Sequence, residues 1–435
     1  MKTQLILVSL IGAALALLGP LAGDSRGDFT LFTLWDDQQK TVNTAYSQGY
    51  LYDTSSAFVV SGGQVNSISA YNSSKVDISG GSVDSFFAYN SSKVDVSGGS
   101  VGYLYAYNSS RVDVSDGSVG FINAFNTSTV EMSGGSMPDY IAAYDSSKVN
   151  FSGGSVDNLR ANGYSTIEVS GGDVVLGFES YDSSTVRMSA GDVRFCWPKQ
   201  SSFMEIIGGD MVRLQAWDSS TVSFSGGSIS DGLDATNSST VHLSGGSMQK
   251  LWAWQSSTVV FHGQNFVAGS GLTLEDNKVL GTGSLTGEWA DGTPWSVYIG
   301  SNPLSATILA VDGPWAVAIA KDCEAGLGNI VFLDGSIFYG SGVPVSWAWD
   351  LDGDGDFDDA LGPKPSFTYD DLVGQLGMQV GQNVICLQVH TSDGLVVTDT
   401  GNLVILPVPE PATLSLLAVG GLMALVRRRR RMMAV

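Results

Sequence analysis

From residue 54 to residue 263, apolar and polar positions alternate in short runs, and the runs recur. Val76 and Ile78 alternate with Lys75 and Asp77. On a strand, successive side chains point to opposite faces, so one pair faces inward and the other outward. Phe86 and Ala88 alternate with Phe87 and Tyr89 in the same way, and Val83 begins a second short inward run. Gly80 and Gly81 turn the chain between runs, because glycine accepts positive φ. The pattern returns every eighteen residues at Asn72, Asn90, Asn108 and Asn126, with nineteen-residue steps to Asp145, Asp182 and Asn237. A Ser-Gly-Gly turn, or a variant such as Ser115-Asp116-Gly117 or Ser189-Ala190-Gly191, marks nearly all of about a dozen copies.

This register predicts a large inward column: Ile68, Phe86, Leu104, Ile122, Ile141, Leu159, Phe178, Leu214, Leu233 and Leu251. Beside it runs a small column: Ala70, Ala88, Ala106, Ala124, Ala143, Ala161, Ala216, Ala235 and Ala253. Large beside small fills a narrow interior. Eighteen residues are too few for a helical hairpin but enough for three short strands and three corners. The prediction is an all-β chain built as a β-solenoid, its coils stacked at ~4.8 Å into a rod of roughly 55 Å. One coil cannot bury its own apolar face, so stability comes from stacking. The Asn-Ser-Ser corners suit turns, and stacked asparagines suit amide ladders. Exposed terminal coils would be pairing edges, so both ends call for caps. Residues 24–58, aromatic and weakly periodic, read as the N-terminal cap, 59–264 as the repeats, and 265–310 as a C-terminal cap and linker.

Residues 311–406 carry longer strands with spaced turns, the pattern of a small β-sandwich. The order Leu333-Asp334-Gly335-Ser336, then Trp347-Ala348-Trp349-Asp350-Leu351-Asp352-Gly353, then Thr391-Ser392-Asp393-Gly394 resembles the polycystic-kidney-disease-type (PKD) domain. That resemblance implies an immunoglobulin-like sandwich used as a spacer or binding module on exported bacterial proteins. One departure is residues 376–380, which replace the short aromatic approach to the strand after Asn383. Asp350, Asp352, Asp354, Asp356 and Asp358 fall at alternate positions around Gly355, the opening of a calcium loop. The twelfth position is Leu361 rather than a bidentate glutamate. Calcium binding and a solvated acidic turn both remain open.

The two ends of the chain carry export chemistry. Lys2, an apolar run over residues 5–18 and small residues near Ala22 and Gly23 read as a secretory signal peptide at 1–23. At the other end Pro409-Glu410-Pro411 precedes an uncharged apolar run, 412–426, and five arginines, 427–431. The prolines hold an extended backbone, the run is a short C-terminal transmembrane helix, and the arginines keep its end cytoplasmic. This tail, 407–435, resembles the PEP-CTERM sorting signal. The resemblance implies a bacterial surface or matrix protein processed by exosortase, a membrane-embedded cysteine transpeptidase, with Pro409, Glu410 and Pro411 as its recognition element. The alternative is a plain single-span anchor. Asn72, Asn90, Asn108, Asn126 and Asn237 also fit the glycosylation sequon, but a bacterial-type tail favours the amide ladder.

The formal net charge of −22 deepens once both ends are removed, and such a polyanion has no general attraction for nucleic acid. Three cysteines make no disulfide framework; a Cys323–Cys386 bridge and buried free thiols are both open. The three histidines are far apart in sequence, and no motif supplies a catalytic constellation. Lys75, Lys93, Arg111 and Lys148 share a column beside Asp77, Asp95, Asp113 and Glu131, which reads as solubilising surface charge. Tyr71, Tyr89, Tyr107, Phe125, Tyr144, Tyr181, Trp217 and Trp254 form one outward aromatic column, with Phe87, Tyr105 and Trp252 two residues before it. Such a stripe is either a contact surface or an internal ladder between coils. Three functions follow: a displayed structural rod, a module binding exopolysaccharide or other surface proteins, and a β-helix polysaccharide-degrading enzyme. The first is the expected one, with no cofactor required beyond the open question of calcium.

Overall fold

Parallel strands stacked residue over equivalent residue carry the repeat. The computed structural model describes residues 30–407 except 302–305, 313–315, 321, 327–329, 336, 341–342 and 393. The expected signal peptide and the expected motif, membrane span and arginine block all lie outside the described residues. Among the described residues no helix is long and apolar enough to cross a membrane.

Lys75–Ala88, Lys93–Ala106 and Arg111–Ala124 pair in parallel, with Val76 over Val94 over Val112 and Phe86 over Leu104 over Ile122. Every member of the predicted large and small columns is buried. Where the columns skip a coil, Cys196 takes the large position between Phe178 and Leu214, and Ser180 and Pro198 take the small one. Each nineteen-residue coil absorbs its extra residue at one place, as a bulge between Met137 and Tyr140, Val174 and Phe178, or Ile229 and Gly232. At the Ser-Gly-Gly corner, Gly99 adopts φ +72°, and a Cβ on Gly98 would sit 2.7 Å from the Ser79 carbonyl oxygen of the neighbouring coil. Both glycines are therefore required for coils to approach at strand spacing.

The segment expected as an N-terminal cap is itself built from coil strands. Strand β1 (Leu31–Leu34) runs parallel to β3 (Ala45–Leu51), and β2 (Gln39–Val42) to β4 (Ser56–Val59). Leu34 lies over Leu51 and Leu51 over Ala70, steps of seventeen and nineteen residues that blur the eighteen-residue period. At the other end the stack is closed by antiparallel pairing. Gly283–Glu288 pairs with Thr258–Ala268 on one side and Pro294–Ser301 on the other. Trp289 and Trp295 lie over the buried Phe261, at ring-centroid distances of 6.5 and 5.0 Å. Thr307–Asp312 then adds one more parallel strand beside Thr258–Ala268, so the solenoid sheet runs past the expected boundary at residue 310.

The second unit has its own core, centred on the fully buried Trp349. Its five-stranded sheet runs Cys323–Ala325, Val396–Ile405, Gly381–Thr391, Pro344–Asp350, Ala360–Leu361. All pairings are antiparallel except the first. Ile385, Leu387 and Val389 give Gly381–Thr391 its buried face, and Val331 and Leu333 reach the same core from a separate two-stranded ladder. The departure at residues 376–380 is preceded by a short π-helical turn, Asp371–Gln375. Cys196, Cys323 and Cys386 form no disulfide with one another, so the Cys323–Cys386 bridge is not made.

The register predicts distinct outcomes for inward and outward substitutions. Leu104→Ala should cost roughly 2–5 kcal/mol, and Ile122→Asp more, through a cavity and a buried unpaired carboxylate. Lys93→Ser, on the outer face, should change stability by less than about 1 kcal/mol. Denaturant unfolding followed by circular dichroism checks this; equal losses at inward and outward positions would contradict the register.

Candidate functional site

Every corner repeats one device. Asn72, Asn90, Asn108 and Asn126 all adopt φ of 58–59°, as do Asp145, Asp182 and Asn237 within a few degrees. Asparagine and aspartate tolerate this left-handed conformation better than other residues with a Cβ. Their side chains then bond along the rod: the Asn90 amide donates to Asn72 Oδ1 at 3.0 Å and the Asn108 amide to Asn90 Oδ1 at 3.1 Å. Two residues on, a serine is buried at every corner from Ser55 to Ser257. Ser147 Oγ accepts the Tyr144 N–H at 3.0 Å and donates to the Ala124 carbonyl of the preceding coil at 3.1 Å. The sequence reading took both serines as turn residues and missed that the second is interior.

The aromatic column divides into two parts. Tyr71, Tyr89, Tyr107, Phe125 and Tyr144 stack face to face at 4.9–5.0 Å and within 10° of parallel. Tyr52 and Trp35 extend the stack in the other direction, at 5.0 and 4.1 Å. Phe87 and Tyr105 stack alongside at 5.1 Å. Burial in the column raises the hydroxyl pKa of Tyr71, Tyr89, Tyr107 and Tyr144. Ring faces in this half are occupied by neighbouring rings, which leaves mainly edges to solvent. The expectation of one contiguous stripe is corrected beyond Tyr144, where Asn162, Lys199 and Thr236 take column positions. Lys199 Nζ lies 4.7 Å from the Tyr181 ring centroid and bonds its hydroxyl at 2.9 Å. Trp217 and Trp254 are left as separate rings, 37% and 42% exposed.

The charged columns interlock. Lys75 bridges Asp77 at 2.9 Å and Asp95 of the next coil at 3.2 Å; Lys93 repeats this with Asp95 and Asp113, and Arg111 with Asp113 and Glu131. Bonds to Asp77 and Asp95 raise the Lys75 pKa. Against partial desolvation, bonds from Lys93 and Lys75 lower that of Asp95. A separate groove of about 480 Å³ is lined by Val175, Arg194 and Val212 and by the stacked carboxylates Asp173, Asp192 and Asp210, a set the sequence reading did not single out.

Two of the three histidines, distant in sequence, meet on the rod. His242 Nδ1 lies 3.0 Å from His262 Nε2, and the rings stack at 5.3 Å. Burial pushes His242 down to about 4; burial, with the neighbouring His242, pushes His262 down to about 3. Their separation of one coil plus two residues was the available signal.

In the sandwich, the acidic loop gathers differently from the alternate-position pattern. Carboxylate oxygens of Asp350, Asp352 and Asp359 lie within 4.8 Å of one another. Asp354, Asp356 and Asp358 do not join them. The reason is that the loop folds on itself: Asp350 accepts the N–H groups of Gly353 and Gly355 at 2.7 and 3.1 Å, and Asp354 accepts that of Asp356 at 2.8 Å. Asp359 returns across the sheet end to accept the N–H groups of Leu351 and Asp352. The Asp354 N–H bond lowers the Asp352 pKa, but desolvation and the charges of Asp359, Asp354 and Asp350 together raise it. Three converging hard oxygens on a glycine turn fit the carboxylate part of a calcium shell.

Residues 407–431 match the PEP-CTERM protein-sorting motif. The PEP-CTERM motif implies an exported protein with a C-terminal signal sorted by exosortase. It contains Pro409, Glu410 and Pro411 and ends on Arg431. No curated protein matches the chain. Among solved structures, the PKD domain from KIAA 1837 protein is 24% identical, covering 22% of this chain and 89% of its own, with a TM-score of 0.17. The PKD1 domain of Vibrio anguillarum Epp is 27% identical over 22% of this chain and 96% of its own, with a TM-score of 0.15. The fibronectin(III)-like modules of Clostridium thermocellum CbhA are 10% identical over 34% of this chain and 88% of theirs, also at 0.15. Scores of this size assign no fold, which rests on the strands and core described above.

The histidine pair gives the rod an acid-sensitive end. Below pH 6.5 the unfolded chain takes up protons at both imidazoles, whereas the folded chain resists until near pH 4. Stability present above pH 6.5 is therefore lost as pH falls toward 4, at about 1.4 kcal/mol per pH unit for each histidine. Melting temperatures between pH 7 and about 5 should fall for the wild type and stay flatter for His242→Gln/His262→Gln. Equal slopes would remove the pair as the cause.

Proposed function

We propose that the mature protein is a non-enzymatic rod held at the cell surface or in the extracellular matrix after exosortase has processed its tail. The observation that carries this reading is the pairing of a C-terminal sorting motif with a rod whose outer columns bond chiefly to their own equivalents in adjacent coils. Amides bond amides, rings cover rings, and lysines bridge aspartates of two levels. Such a surface favours a long, soluble, self-supporting element over a site that converges on a substrate. The PKD-like unit fits a spacer between the rod and the sorted end.

A second reading, a glycan- or cell-contact module, is favoured by Trp217 and Trp254, whose exposure leaves aromatic surface for a sugar ring or a protein partner. Binding to exopolysaccharide that is lost in Trp217→Ala/Trp254→Ala, with the fold unchanged, would select it over the purely structural role. Within the sandwich, the Asp350, Asp352 and Asp359 cluster would take calcium, its remaining ligands coming from backbone oxygens and water.

Two experiments test these proposals. In a host with its exosortase, intact-mass measurement should find the mature protein without arginines 427–431, and Glu410→Ala should accumulate as an uncleaved, membrane-retained precursor, as should loss of the enzyme. Changing the five arginines to glutamine should disturb orientation instead. A mature protein that keeps the arginines in a sorting-competent host would leave only a membrane anchor. For calcium, EDTA should lower the melting temperature of the sandwich in the mature protein, and Asp352→Asn/Asp359→Asn should abolish that response. Calorimetry without calcium heat at about millimolar concentration, the weak end of extracellular calcium sites, would eliminate the site.

A further inference from the structure

The two ends of the stack are unlike. The C-terminal end is closed by the antiparallel strands Gly283–Glu288 and Pro294–Ser301 and by Trp289 and Trp295 over Phe261. At the N-terminal end, β1 and β2 pair only with β3 and β4 among the described residues. The carbonyls of Thr30 and Leu34 accept from Gln48 and Tyr52, and those of Gln38 and Val42 from Ser56 and Val60. Backbone groups alternate sides along a strand, so the N–H and C=O groups of Leu31, Thr33, Gln39 and Thr41 point away from the stack. Leu31 is 56% exposed, and Trp35, the terminal ring of the aromatic ladder, is 47% exposed with one face against Tyr52.

We infer that this end docks a second copy of the same chain, head to head, by antiparallel pairing of β1 with the partner's β2. The occupant follows from continuity with the coil-to-coil interface. The end offers what each internal level offers its neighbour: outward backbone groups on two adjoining faces and one open aromatic face. The closed C-terminal end leaves no matching partner for head-to-tail growth. Two N-terminal ends can meet about a two-fold axis through the corner between Trp35 and Gln38. That axis places β1 over the partner's β2 on both sides at once and reverses strand direction. It also brings the two Trp35 rings together, joining both ladders. The interface is isologous and closed, so it gives dimers rather than filaments. Asp36 and Asp37 at the same corner repel their counterparts, so association should tighten as salt rises.

Sedimentation of the purified mature protein tests this. The expected result is a concentration-dependent dimer that strengthens with salt. Thr33→Pro/Thr41→Pro removes two outward N–H donors while sparing the bonds to the next coil, as proline on an edge strand can. It should sediment as a monomer and melt where the wild type melts when diluted to monomer. Should that variant misfold, Leu31→Arg keeps every backbone donor and should weaken the dimer at least tenfold. Hydrogen exchange gives a direct readout: amides of Leu31, Thr33, Gln39 and Thr41 should be protected in the dimer and exchange freely in the monomer. A wild type that stays monomeric, or a dimer that persists in the proline variant, overturns the inference. So does a monomer that dimerises only when residues 24–29 are deleted, since the chain's own segment would then be the natural cover.

Discussion

Backbone hydrogen bonds between successive coils run parallel and in register, and the other contacts of the rod inherit their geometry from them. Because residue lies over equivalent residue, any side chain that interacts favourably with a copy of itself is multiplied along the axis. An asparagine amide is both donor and acceptor, so a column of asparagines satisfies itself. An aromatic ring at strand spacing is already at stacking distance. A lysine between two aspartates on adjacent levels meets both. Each such contact is small alone, and exposed ion pairs especially so. Their repetition makes the surface cooperative with the core.

The same register explains where polar groups are tolerated inside. At Ser147 the buried hydroxyl accepts an N–H from its own turn and donates to a carbonyl of the preceding coil, whereas the hydroxyls of Ser55, Ser74, Ser92, Ser110 and Ser220 are buried without a hydrogen-bond partner. A buried hydroxyl with both partners supplied is close to neutral, whereas an unpaired one is costly. The His242–His262 contact is the contrasting case, a titratable pair held neutral by burial near the C-terminal end of the stack.

Sequence periodicity made the interior legible and left the exceptions obscure. The large and small columns follow from alternation plus an eighteen-residue step, and where Cys196, Ser180 and Pro198 replace the usual residues the backbone register holds them in place. The first coils were hidden because steps of seventeen and nineteen residues cancel over two levels. The corner serines were hidden because an exposed and a buried serine read alike in Asn-Ser-Ser. In the acidic loop, alternation suggested five equivalent aspartates, but Gly353 and Gly355 fold the loop back on Asp350 and bring in Asp359 from outside the pattern. The tail was legible for a different reason: proline pair, apolar run and arginine block are read in linear order, and residues 407–431 match the sorting motif.

Each coil contacts only its immediate neighbours, and each extra residue is absorbed at one bulge. Whole coils can therefore be gained or lost by duplication or deletion without redesigning the rest. Removing one repeat would shorten the stack by ~4.8 Å. The sequence thus encodes a length in discrete steps, each coil adding reach while repeating the same outer columns.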